Sequence, residues 1–229
     1  MKSDGKAPQI IKPTRYDVVL YDFDGTLVDT IPLIVKCFNI AFEEVLGERR
    51  DEKTILSTIG LPLWTAFRDY DEETQNKLHN AYLRANERYL PTDVRIFPGI
   101  YEGLEAISKM GVLQGVVTSK RREPALFTMR QFDLEKFFSV LVSRDDTTEH
   151  KPTPVPIFFA LEKLGITDLT RVLFVGDSIH DLICAENAGV DSAAVDWTYM
   201  SKEELRSAAP KYWLDNLSAL PCILSEREL

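Results

Sequence analysis

A chain of 229 residues is long enough for one sizeable hydrophobic core, or for a core carrying a smaller inserted unit. Apolar residues make up 45% of it and charged residues 28%, which excludes a disordered or fibrous polypeptide and fits a soluble globular one. The net charge of -9 argues against a broad surface for nucleic acid or anionic lipid, so an anionic partner requires a local cluster of positive side chains.

In chain order, residues 1–14 carry only Ile10 and Ile11 as an apolar pair, and no run of 18 apolar residues occurs, so neither export nor a membrane span is expected. Tyr16 to Phe23 is a short apolar run rich in β-branched and aromatic residues, bounded by Gly25, and predicts a buried strand with Asp22 at its carboxyl end. From Thr30 to about Pro91 the spacing turns helical, with Ile31, Ile34, Val35, Phe38 and Phe42 on one face. After Phe97-Pro98-Gly99, strand-like runs recur at Val112 to Thr118, Phe138 to Val142, Val172 to Val175 and Ser192 to Val195, with helical stretches between them. Thr153 and Pro154 open the predicted helix that ends at Gly165, Gly189 closes one starting near His180, and Tyr212 to Leu214 is a candidate edge strand. This alternation predicts an α/β protein: a Rossmann-like parallel sheet core from residues 1–29 and 92–229, split by a helical insertion over 30–91. Cys37, Cys184 and Cys222 are widely scattered and show no paired zinc spacing, which fits a reducing cytoplasm.

Ligands of open parallel sheets bind beyond the carboxyl ends of the strands, so the polar residues closing these runs are the candidate site. Asp22 and Asp24 lie two residues apart, and acids so close resist ionising together unless a cation compensates. Val117-Thr118-Ser119-Lys120 places hydroxyl and amide groups where a phosphate oxygen can be held. Lys151 follows the polar loop 144–150 and precedes Pro152, and Asp177 closes a strand with Asp181 four residues on. Each group has an ordinary structural use, as a turn, a helix cap or a solvated lysine. Their joint occurrence at successive strand ends is what points to one site.

These motifs, Asp22-Phe23-Asp24-Gly25-Thr26, Thr118 within Val-Val-Thr-Ser-Lys, Lys151 and Asp177 with Asp181, resemble those of the haloacid dehalogenase superfamily of hydrolases. The segments around Thr118 and Lys151, with Trp197-Thr198, are most similar to its phosphoglycolate phosphatase and pyrophosphatase branch. The resemblance implies a helical cap over 30–91 and a phosphatase acting on a small phosphorylated metabolite, phosphoglycolate-like or pyrophosphate. It also implies Asp22 as nucleophile, forming an aspartyl phosphate, and Asp24 as general acid and base. Mg2+ would be held by Asp22, the main-chain carbonyl of Asp24 and Asp177, with Asp181 orienting those groups. Thr118, amides near Ser119 and Lys151 would then bind the phosphoryl oxygens. Two alternatives use the same motifs: a sugar-phosphate mutase that passes the phosphoryl group on, and a phosphate-binding regulator without catalysis. Ile59 to Pro62 is a candidate loop facing the substrate, and Arg121 and Arg122 are read as a solvent-facing basic pair.

Overall fold

The computed structural model describes residues 14–225, so the reading of the amino-terminal stretch as free of an export signal falls outside it. In chain order the elements are β1 (Val18–Tyr21), β2 (Val28–Asp29), α1 (Ile31–Leu46), α2 (Glu52–Leu56), a short 3-10 helix (Leu63–Phe67), α3 (Glu72–Tyr89), β3 (Arg95–Ile96), α4 (Ile100–Lys109) and β4 (Leu113–Val117). There follow α5 (Arg122–Gln131), β5 (Val140–Val142), α6 (Val155–Leu164), β6 (Val172–Gly176), α7 (Ile179–Ala188), β7 (Asp191–Val195), α8 (Lys202–Ser207), β8 (Tyr212–Leu214) and α9 (Leu220–Ser225). No helix among the described residues is long and apolar enough to cross a membrane.

The predicted parallel sheet is present, six-stranded in the order β5-β4-β1-β6-β7-β8, with every pairing parallel. β1 is central because all four of its residues are buried, which suits a strand covered on both faces. Its alternation sorts two cores: Val19 and Tyr21 join Ile100, Leu104 and Leu220 of α4 and α9, while Val18 and Leu20 join residues of α6 and α7 such as Ile157 and Cys184. Fully burying a side chain such as Leu20 or Phe174 contributes roughly 1.5–3 kcal/mol, whereas a solvent-screened i,i+4 pair such as Glu73–Lys77 contributes far less. The fold therefore rests on this two-sided core, and surface ion pairs are secondary.

The helices between β2 and β3 form a cap. Asp51 and Asp71 cap α2 and α3 by accepting hydrogen bonds from the amides of Thr54 and Thr74, and Gly47 ends α1 in the left-handed conformation. α1 packs on α3 through an aromatic cluster in which Phe38 lies 4.9 Å from Tyr82 and 5.6 Å from Phe67, centroid to centroid. α3 is polar overall, yet Leu78, Ala81, Tyr82 and Ala85 give it one buried stripe at helical spacing. The sequence reading lacked the antiparallel pair β2–β3, which joins the cap's entry and exit through Val28 with Ile96 and Asp29 with Arg95. Two-residue strands leave no periodicity to detect.

Candidate active site

The backbone first fixes where the acids stand. The Asp22 amide donates to the Val175 carbonyl at 2.9 Å, extending the β1–β6 ladder by one residue and setting Asp22 beside the segment that begins at Asp177. The chain then doubles back: Leu27 and Val28 amides donate to the Phe23 carbonyl, and the Gly25 amide donates to the Val28 carbonyl at 2.8 Å. This turn needs φ of +85° at Gly25, and a Cβ there would stand 2.3 Å from Oδ2 of Asp177. Gly25→Ala is therefore expected to lower stability by about 1–3 kcal/mol and to displace the Asp177 carboxyl. A thermal melt alongside a turnover assay checks this; wild-type values in both would show that the turn tolerates a side chain.

Side chains from several elements brace that turn and the acids beside it. Thr26 Oγ1 donates to Asp177 Oδ1 at 3.0 Å, Trp197 Nε1 donates to the Thr26 carbonyl at 3.1 Å, and Thr198 Oγ1 donates to the Asp177 carbonyl at 2.7 Å. Ser178 caps α7 in a reciprocal box with Asp181, whose Oδ2 accepts from the Ser178 amide at 3.0 Å and its hydroxyl at 2.6 Å. Lys151, with its side chain 2% exposed, bridges the two strand ends by donating to Asp22 Oδ1 and Asp181 Oδ1 at 2.6 Å each.

Asp22, Asp177 and Asp181 each offer an oxygen within 4.8 Å of the others, against one ammonium. Burial raises the Asp22 pKa to about 7 despite the pull of Lys151, with Asp181 and Asp24 pushing the same way as burial. Asp177 is raised well above the usual carboxylate value by burial and by its neighbours Asp22 and Asp181. Burial alone would lower the Lys151 pKa, but the carboxylates of Asp181 and Asp22 outweigh it and hold the ammonium protonated. Oδ2 of Asp177 is buried and has no hydrogen-bond partner, a cost of about 1–3 kcal/mol if nothing else meets it. An excess of buried negative charge and an orphaned hard oxygen fit a divalent cation such as Mg2+.

Asp24 turns a different way. Its Oδ1 accepts from Thr30 Oγ1 at 2.6 Å and from Lys120 Nζ at 2.8 Å, so its carboxyl lies outside the cluster of three acids. Thr118 continues the sheet, its amide donating to the Val142 carbonyl at 2.9 Å, and its hydroxyl accepts from the Lys120 amide at 3.1 Å. Ser119 spends its hydroxyl on the cap, donating to the Gly60 carbonyl at 2.8 Å. Asp22, Asp24, Thr118, Ser119 and Asp177 border one cavity of about 120 Å³, roofed by cap residues that include Phe38, Leu61, Tyr82 and Asn86. Ile59, Gly60 and Leu61, from the loop singled out in the sequence, do line it. The basic pair divides: Arg122 Nη2 donates to both oxygens of Asp146 at 2.6 Å, while Arg121 lines the cavity. Sequence reasoning quoted Thr26 and Lys120 within their motifs without giving either a role, and it did not connect Thr30 with the site.

A family model described as haloacid dehalogenase-like hydrolase matches residues 19–195. A protein of Caldanaerobacter subterraneus subsp. tengcongensis, provisionally named pyrophosphatase PpaX, is 36% identical over 89% of this chain and 92% of its own length. The pyrophosphatase PpaX of Bacillus cereus is 32% identical over 93% of this chain and 98% of its own. Among solved structures, a predicted phosphoglycolate phosphatase from Haemophilus somnus 129PT shares the fold with a TM-score of 0.84 at 24% identity, covering 92% of this chain and 98% of that one.

Proposed function

The chain belongs to the haloacid dehalogenase-like hydrolase family, and from that premise we propose that it is a Mg2+-dependent phosphatase acting through Asp22 on a small phosphorylated metabolite. One observation carries the reading: a buried carboxylate at the end of the central strand shares a single lysine with Asp181 and stands beside an orphaned oxygen of Asp177. In this reading residues 1–29 and 92–229 form the catalytic core, and 30–91 roof it.

Asp22 attacks the phosphorus in line; the P–O bond to the leaving group breaks as the bond to the Asp22 oxygen forms. Asp24, held by Thr30 and Lys120, gives its proton to the departing oxygen and later takes one from the water that hydrolyses the aspartyl phosphate. Lys151, the Thr118 hydroxyl and the amides around Ser119 receive the non-bridging oxygens, and each such contact lowers the barrier by roughly 2.7–4 kcal/mol. Asp22, the Asp24 main-chain carbonyl and Asp177 would hold Mg2+, while Asp181, with both oxygens engaged by Lys151 and Ser178, fixes the lysine and the α7 terminus. The ion would neutralise the phosphate's charge so that an anionic nucleophile can approach it. The free cysteines at 37, 184 and 222 suit a reducing cytoplasm.

Phosphate release should be measured over pyrophosphate, phosphoglycolate, hexose phosphates and nucleotides, with Mg2+ and with chelator. Release from at least one compound is expected with Mg2+, falling to background with chelator. Absence of release from all of them would remove the phosphatase reading, and isomerised hexose phosphate in its place would favour the mutase.

A further inference from the structure

Among the described residues Arg144 is a cation without a carboxylate of its own. It precedes two acids, yet both are engaged elsewhere. Asp146 is held by Arg122 and by the amide and hydroxyl of Ser143, and Asp145 accepts from the Arg122 amide at 2.8 Å and lies 4.0 Å from Arg121. Among the described residues no carboxylate forms an ion pair with Arg144. Arg144 instead borders the cavity that contains Asp22, as does Arg121. Both arginines also sit near enough to α3 to depress the pKa of His79, after burial as the larger cause, which places them at the seam between core and cap.

The cavity's other cations are already used. Lys120 is bound to Asp24, and Lys151 to Asp22 and Asp181. The cap residues that line the space carry no charge: Ile34, Phe38, Leu63, Tyr82 and Asn86 are representative. A leaving group without charge would pack on this wall and leave the Arg144 guanidinium unpaired. One that ends in a carboxylate or phosphate would meet a planar, forked donor suited to bidentate recognition. At about 120 Å³ the space lies well below the roughly 300 Å³ at which pockets begin to take drug-sized ligands, so the group must be compact.

We propose that Arg144, with Arg121 beside it, binds a second anionic group on the leaving side of the substrate and so selects small phosphate compounds charged at both ends. The proposal rests on the phosphatase reading above and names what that site discriminates. The test is the kcat/KM of wild type, Arg144→Gln and Arg144→Lys, with Mg2+, on 2-phosphoglycolate, inorganic pyrophosphate and ethyl phosphate. The first two probes separate a carboxylate from a phosphate as the second anion, and the third lacks one. Wild type should prefer one of the doubly charged compounds over ethyl phosphate. Arg144→Gln should reduce that preference by about 10- to 100-fold, chiefly through KM, and Arg144→Lys should recover part of it. A wild type that turns over ethyl phosphate equally well, or an Arg144→Gln variant whose preference is unaltered, would overturn the assignment while leaving the phosphatase reading in place. Absence of release from all three compounds by wild type would instead strike at the phosphatase reading itself.

Discussion

Asp22→Asn is expected to reduce turnover by roughly four orders of magnitude or more while leaving a folded protein. The amide has nearly the shape of the carboxyl, and its oxygen can still accept from Lys151, which also keeps Asp181 as a partner. What the variant loses is the nucleophile: an amide oxygen carries no charge with which to attack phosphorus. It also loses a negative charge that burial disfavours, since the Asp22 pKa is already raised to about 7. Unfolding stability should therefore change by no more than about 1 kcal/mol in either direction, because a relieved desolvation cost offsets a weakened charge-assisted hydrogen bond. Phosphate release and a denaturant melt on the same preparation distinguish the cases. Full activity would remove Asp22 from the nucleophile role, whereas inactivity with a collapsed melt would make the residue structural.

Much of this site was legible because each of its parts closes an apolar run. Asp22, Thr118 and Asp177 follow β1, β4 and β6, and a parallel sheet brings such ends together whatever the loops between them do. The helical insertion was legible from the apolar stripes of α1 and α3. Side-chain partnerships were not, because they depend on rotamers and on residues distant in sequence. Lys120 stands in the sequence only as the last residue of the Thr118 segment, and the fold alone shows it within 2.8 Å of Asp24, 96 residues away. Ser119 reads only as a source of phosphate-side amides, and the fold shows what its side chain does: the hydroxyl donates to the Gly60 carbonyl in the cap. Trp197 and Thr198 read as family hints, and the structure gives them a physical task, holding the carbonyls of Thr26 and Asp177. The cation of Arg144 was hidden for a related reason: two acids follow it, and sequence alone gives no sign that Arg121 and Arg122 take them.

Lys151→Met should be the most destabilising single change in the site. The side chain is similar in length but apolar, and removing the ammonium leaves Asp22, Asp177 and Asp181 buried with no cation among them. Breaking a buried pair from one side costs about 3–5 kcal/mol, several times the value of a surface ion pair, because the remaining charge keeps its desolvation penalty and loses its partner. The loss should depend on pH in a definite direction. A carboxyl whose folded pKa lies above its unfolded value binds more protons folded than unfolded, so its contribution favours the fold at low pH and is lost as pH rises. Asp22 is raised from 3.8 to about 7 even with Lys151 present, and Asp177 is raised as well, so removing the ammonium pushes both further in the same direction. With chelator present, the deficit of the variant relative to wild type should be largest at and above neutral pH and should shrink as pH falls from about 7 towards 4. Mg2+ should then stabilise the variant more than wild type, since a site stripped of its own cation attracts a divalent ion more strongly and binding to the folded state adds to its stability. Denaturant unfolding at several pH values, with and without Mg2+, gives all three results. A variant as stable as wild type at neutral pH in chelator would show that the ammonium is not what neutralises these acids.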